Sequence, residues 1–149
     1  KQHIWHNATA LPGTPSYSQA SLMVINTGGR DVVIDKISVR GQECSWNDTG
    51  VTNNKLVLYC TTNNPISSDM YYVPNFNITD SNALMYDSSA YAFKVASSDL
   101  VLKSGYTMLV YIVNPDSIAV NDVGLTIGIS LYSAQAVYYR ETNVEAVVM

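Results

Sequence analysis

The two histidines, His3 and His6, are the side chains best suited to chemistry, since an imidazole can bind a metal or move a proton. Both lie at the start of the chain. A blue-copper site would need them near a cysteine and a methionine of a closing strand, but no histidine follows Cys60. The Gly-x-Ser-x-Gly turn of many serine hydrolases is also missing from the sequence. We therefore predict no catalytic residue, no metal ligand and no cofactor, and we do not expect an enzyme.

Carboxylates could in principle serve sugar hydrolysis or calcium binding. A glycosidase needs a pair of acids across a cleft, whereas Glu141 and Glu145 simply lie near the end of the sequence. Asp80, Asn82 and Asp87 cluster in one polar segment and offer oxygen ligands of the kind that Ca²⁺ prefers. Without an EF-hand pattern, a solvated loop is the expectation.

Two cysteines, Cys44 and Cys60, are the only sulfur pair that could form a cross-link. Their spacing excludes a Cys-x-x-Cys redox or metal motif. In an exported protein such a pair predicts a disulfide, which would stabilise the fold by roughly 3 kcal/mol through loop closure. The alternative is two separate buried thiols in a reducing compartment.

Three Asn-x-Ser/Thr sequons begin at Asn7, Asn47 and Asn77. All three lie in segments that we expect to be loops or an extended arm, where a glycan could be attached. If the protein is exported, we expect at least one to carry a covalently attached glycan.

The composition points away from nucleic acid and from membranes. Charged residues make up 13% of the chain and the net charge is −4, and the scattered cations form no patch that would neutralise phosphates. The longest strongly apolar run, residues 108–113, is far shorter than the ~20 residues of a membrane-spanning helix. Lys1 opens the sequence without a visible leader, so we expect a mature, extracellular product, although a trimmed piece of a longer chain would look the same.

Short stretches with alternating apolar residues dominate the chain. The clearest is 125–132, with apolar side chains at every second position, which is typical of a strand with one buried face. Residues 17–26 and 32–41 flank a Gly-Gly turn and predict a hairpin, and 106–113 is apolar on both faces and should be central. Further strands are predicted at 56–60, 70–73, 91–95, 100–102, 137–139 and 144–149, with 75–90 as a surface loop. No helical period occurs, so the sequence predicts an all-β, antiparallel sandwich over residues 17–149.

Residues 1–16 read as an extended N-terminal arm, ended by Pro12-Gly-Thr-Pro15. The arm carries apolar side chains that could fill pockets in another sheet: Ile4, Trp5, Ala8, Ala10 and Leu11. Such an arm can complete the open sheet of a neighbouring subunit, and head-to-tail exchange of this kind generates an open filament. The alternative is an ordinary edge strand or a frayed terminus.

The segments 24–42 and 114–128 resemble sequences of archaeal pilins and archaellin-like exported proteins, in which a Val-x-Asn-Thr-Gly strand end leads into a Val/Ile strand. The resemblance implies an immunoglobulin-like or pilin-like β-sandwich. Type IV pilins carry a long apolar N-terminal helix, which residues 1–16 cannot form. Either that helix lies outside this sequence, or the subunit polymerises differently. The second option is similar in arrangement to archaeal threads and bundling pili, whose subunits are joined by donor-strand complementation.

These observations predict a structural subunit of an extracellular, cell-surface filament, whose partners are identical copies in a homopolymer with no direct membrane insertion. A soluble ectodomain that binds the S-layer or glycans is the alternative, since Trp46 and exposed tyrosines could stack on sugars. A virion coat protein is a third possibility, because sandwiches also build capsids.

Overall fold

The chain forms one curled ten-stranded sheet and a separate two-stranded hairpin. The computed structural model describes residues 2–10, 17–44, 56–73, 83–96, 99–115, 118–134 and 136–147. Strands make up 61% of the structure and no α-helix occurs in these ranges, so the predicted all-β class is confirmed. Within the same ranges, no helix is long and apolar enough to span a membrane.

The strands within the described ranges are β1 (Gln2–Asn7), β2 (Ser18–Ile25), β3 (Val32–Val39), β4 (Gln42–Glu43), β5 (Leu56–Thr62), β6 (Ala83–Tyr86), β7 (Ser89–Ala92), β8 (Lys94–Val95), β9 (Leu100–Leu102), β10 (Thr107–Val113), β11 (Thr126–Ser133) and β12 (Val137–Val147). A 3-10 turn over Val120–Asp122 precedes β11.

The large sheet has the strand order β4-β3-β11-β12-β1-β2-β10-β5-β8, with β9 added to β3. The long strand β12 is its corner, because residues 137–143 pair with β11 whereas 144–147 pair with β1. The β1–β12 pair is parallel and the other pairs are antiparallel. This curled sheet is consistent with a sandwich or a barrel-like fold, and an immunoglobulin-like topology stays a prediction.

The main hydrophobic core lies inside the curl. Ile127, Ile129 and Leu131 of β11 point into it at every second position, as the alternation predicted. Strand β10 is buried along its whole length between β2 and β5, which confirms its predicted central place. The apolar residues on both faces of β10 thus contribute to two different cores.

The second core covers the outer face of the same sheet. Leu109 and Tyr111 of β10 pack there against Tyr86 and Phe93. The Tyr111 hydroxyl donates to the Tyr71 carbonyl at 2.7 Å and contacts the Tyr86 hydroxyl, and burial raises the pKa of Tyr86 to about 12. The hairpin β6–β7 and residues 63–73 form the outer layer.

Several local predictions were wrong, for physical reasons that a one-dimensional pattern does not contain. Residues 17–41 do not form a hairpin, since β2 pairs with β1 and β10 while β3 pairs with β11. The side chain of Asn26 turns the chain between them, accepting from the Gly28 N–H and donating to the carbonyls of Arg30 and Leu102.

Two more differences concern the outer layer and the last strand. Residues 83–90 belong to the predicted surface loop 75–90, but together with residues 91–92 they form the hairpin β6–β7. Its two-residue turn has positive φ at both Asp87 and Ser88. Residues 70–73, predicted as an edge strand, pair with no other strand that the structure describes. The two segments predicted for 137–139 and 144–149 are one continuous strand, β12.

Candidate functional site

The first strand, β1, lies inside the sheet of its own chain. It pairs in parallel with β12, where Ile4 is opposite Val144, and antiparallel with β2, where Ile4 is opposite Ala20. The predicted boundary at residue 16 therefore does not separate this strand from the domain, although its extended conformation is as expected. Without β1, the neighbouring edges of β2 and β12 would both lose a partner.

Strand alternation sends the two large side chains of β1 to opposite faces of the sheet. Ile4 is fully buried in the inner core, and Trp5 is 6% exposed in the outer core. Burial of such side chains stabilises a fold by about 1.5–3 kcal/mol each. Of the other proposed donor residues, Ala8 and Ala10 lie in the turn after β1, and Leu11 is outside the described residues. Ile4 and Trp5 are therefore the apolar anchors of β1.

His3 links β1 to two other elements. Its Nδ1 lies 2.9 Å from Glu145 of β12, its Nε2 lies 2.9 Å from Asp69, and its ring stacks on Trp5 with a centroid distance of 5.0 Å. Burial acts to lower the pKa of His3, but the hydrogen bonds and charges of the two carboxylates outweigh it and raise that pKa above 6.5. The carboxylates bind opposite ring nitrogens, so they do not converge on one metal ion.

His6 has the opposite environment. It is buried against Tyr17, and neither ring nitrogen has a hydrogen-bond partner among the described residues. Burial lowers the pKa of His6 below 6.5, and the nearby charge of Asp122 opposes this only in part. His6 is therefore neutral in the folded domain at neutral pH.

The two histidines affect stability on opposite sides of their ordinary pKa of 6.5. Because the pKa of His3 is raised in the fold, its contribution is complete below pH 6.5 and is lost as pH rises through the raised pKa. Because the pKa of His6 is lowered, its contribution is lost as pH falls from 6.5 through the lowered pKa. The two histidines therefore act in opposite directions: acid weakens the hold on β1 through His6, and base weakens it through His3.

The sequon at Asn7 is not available for a glycan while β1 is in place. Asn7 is 3% exposed, its Nδ2 donates to the Tyr72 hydroxyl at 3.4 Å, and its Oδ1 accepts from the backbone and hydroxyl of Thr9. The proposal of Asn7 as a glycosylation site is therefore corrected for the folded domain. Asn47 and Asn77 lie outside the described residues.

The predicted disulfide is not formed, although the structure describes both cysteines. Cys44 packs against the inner core, whereas Cys60 belongs to the outer core on the other face of the sheet. A disulfide needs Cα atoms within about 7 Å and β-carbons that face each other. Burial also raises the pKa of the Cys60 thiol, which makes its thiolate less accessible.

Of the three residues in the candidate calcium cluster, the structure describes Asp87, whereas Asp80 and Asn82 lie outside the described residues. The Asp87 carboxylate accepts hydrogen bonds from the Ser68 hydroxyl and from the backbone N–H groups of Ser67 and Ser68, and these hydrogen bonds lower its pKa. Asp87 thus fastens the β6–β7 hairpin to the neighbouring loop.

The arrangement around β1 holds an extended strand on both edges and on both faces of the sheet, and the sequence indicated only part of it. The pattern pointed to Ile4 and Trp5, but the contacts of His3 with Asp69 and Glu145 join residues that are far apart in the chain. The one available signal was the presence of two histidines in an apolar strand. No protein-family model matches the chain, and no curated protein matches its sequence.

Proposed function

We propose that the protein is a structural subunit of an extracellular, pilus-like filament, in which subunits assemble head-to-tail by exchange of β1. In the exchanged form, β1 of one copy occupies the slot between β2 and β12 of the next. All the contacts of β1 are then kept, since they are made with an identical domain. The inner-core anchor is Ile4 and the outer-core anchor is Trp5.

The observation that carries this proposal is the interior position of β1. It has a partner strand on each edge: its residues from Gln2 to His6 pair with β2, and its residues from Ile4 to Asn7 pair with β12. A sheet that lacks this strand exposes two edges and the apolar floor between them, which is a hazard that a donor strand removes. Residues 8–17 connect β1 to β2 and would carry the strand across to the neighbour.

The first experiment compares three preparations by negative-stain electron microscopy and light scattering at neutral pH. The full chain is expected to form long filaments. A chain without residues 1–10, refolded with an excess of the synthetic 1–10 peptide, is expected to give complemented monomers that do not polymerise, because the donor strand is no longer attached to a domain. The same truncated chain without the peptide is expected to unfold more readily.

Two outcomes would count against the proposal. If the full chain remains a ~16 kDa monomer, the mass of one chain, self-assembly is excluded under those conditions and the ectodomain alternative gains weight. If the truncated chain with free peptide still forms filaments, the subunits are joined by some contact other than β1.

The exposed tyrosines of β12 do not support the alternative of an ectodomain that binds glycans by aromatic stacking. Tyr138 and Tyr139 are each about half exposed, but successive residues of a strand point to opposite faces. They therefore do not form one platform on which a sugar ring could stack.

A further inference from the structure

A groove of about 610 Å³ lies between β2 and β12 at the point where β1 begins. Gln2 is opposite Leu22, and β2 continues for three residues past that pair. In the same direction β12 extends back to Val137. The groove is therefore a gap in the sheet along the line in which β1 would continue.

The β2 wall of the groove presents main-chain groups. The N–H of Asn26 donates to the carbonyl of Tyr106, at the β10 side of β2. Because N–H and C=O groups alternate sides along a strand, those of the preceding residue, Ile25, face the groove. Ile25 pairs with no strand on this side among the described residues, and its side chain is 60% exposed.

The β12 wall is arranged in the same way. The carbonyl of Glu141 faces β1 and accepts from the Gln2 side chain at 3.1 Å. By the same alternation, Tyr139 turns its N–H and C=O toward the groove. The Tyr139 carbonyl accepts a hydrogen bond of 2.9 Å from the guanidinium of Arg140, which occupies the place of the N–H group of an added strand.

The floor is apolar and the rim is cationic. Side chains of the inner core, including Val24, Ile129 and Leu131, form the floor. Arg30 and Arg140 are the charged residues among the described lining, which includes no carboxylate even though the whole chain has a net charge of −4. The rim is therefore suited to an acidic ligand.

We propose that this groove binds an extended peptide segment of a partner, added as a strand between β2 and β12, with apolar side chains at alternate positions and a carboxylate near Arg30 and Arg140. Strand addition pairs the main-chain groups on both walls, and alternate side chains cover the floor. The partner's carboxylate replaces the Tyr139 carbonyl as the acceptor for Arg140. The inference does not depend on β1 exchange, because the groove lies beyond β1.

The probe is a fluorescein-labelled peptide, acetyl-Asp-Val-Thr-Val-Thr-amide, titrated with the full chain and followed by fluorescence anisotropy. Saturable binding is expected. Replacing the Asp of the peptide by Asn should weaken binding about two- to fivefold, as for an exposed charge pair. N-methylation of the central Thr should weaken it about tenfold, because a wall carbonyl loses its donor.

Variants of the protein locate the site. Arg30→Gln with Arg140→Gln should reproduce the effect of the Asn peptide. Lys94→Gln on β8 removes one positive charge away from the groove, and this variant should bind normally. Hydrogen-exchange mass spectrometry should show slower exchange at Ile25 and Tyr139 when the peptide is bound.

Four results would overturn the proposal. One is the lack of saturable binding at millimolar protein, and another is equal affinity for the N-methylated peptide. The third is a groove that binds dodecanoate but not the peptide, since the site would then accept a small amphiphile. If the peptide instead dissociates a dimer that forms without it, the occupant is a second copy, and the assignment to a different partner is wrong.

Discussion

The effect of truncating Ile4 on the free energy of unfolding should show whether β1 is packed in the domain or is a loose arm. Ile4→Ala removes three carbon atoms from a side chain with no solvent exposure. At about 0.8 kcal/mol per buried methylene, the lost transfer free energy is about 2.4 kcal/mol, and the cavity term brings the expected cost to about 2–5 kcal/mol. Since small domains are stable by only about 5–15 kcal/mol, such a loss is large.

The assay is urea unfolding at low protein concentration, followed by tryptophan fluorescence. Ile25→Ala is the matched control, because it removes the same atoms from a side chain that is 60% exposed and should cost less than about 0.5 kcal/mol. The midpoint should fall for Ile4→Ala with little change in the denaturant slope. Equal, small effects of the two substitutions would show that β1 does not pack in the inner core, and the reasoning on the slot would fail.

Two further predictions concern pH and a close contact. The free energy of unfolding should fall as pH rises above 6.5, because His3, whose pKa is raised in the fold, then loses its proton and its ion pairs with Asp69 and Glu145. In a pH series of urea titrations, His3→Gln should abolish this dependence of stability on pH. An unchanged dependence would refute the bridge. Gly128→Ala should change stability by less than about 1 kcal/mol. The three atoms nearest to a Cβ there all belong to the ring end of Tyr139, which is exposed and can turn away, and alanine suits a strand better than glycine. A loss above about 2 kcal/mol in the same assay would show that the ring is fixed.

Local sequence patterns predicted the position of individual strands well. The alternation of 125–132 and the run of 106–113, which is apolar on both faces, each predict a strand correctly. The reason is that the order of apolar and polar side chains alone indicates whether one face or both faces of a strand are buried. The pairing partner is a different matter. The turn at 26–31 looks like a hairpin turn, yet Asn26 bonds to Leu102, which is remote in the chain, and directs β3 to the other side of the curl.

The candidate site was predictable in its apolar residues and not in its polar ones. Ile4 and Trp5 stood out as apolar side chains in an extended segment, but their parity alone did not say which chain supplies the slot. The carboxylates that hold His3 come from positions 69 and 145. Glu145 lies beside it because β12 runs parallel to β1, and Asp69 reaches it from the segment 63–73. Long-range parallel pairing of this kind leaves no local signal.

The central claim, that β1 passes from one copy to the next, can be tested by a cross-link between two different chains. In a background with Cys44→Ser and Cys60→Ala, one chain carries Gln2→Cys and a mass-tagged second chain carries Leu22→Cys, at positions that are paired across β1 and β2. The two chains are mixed unfolded, refolded, assembled and oxidised. Exchange predicts a covalent dimer of one tagged and one untagged chain by mass spectrometry. If no such dimer forms, while a single chain with both cysteines closes an internal disulfide, β1 stays in its own domain and the proposed assembly is wrong.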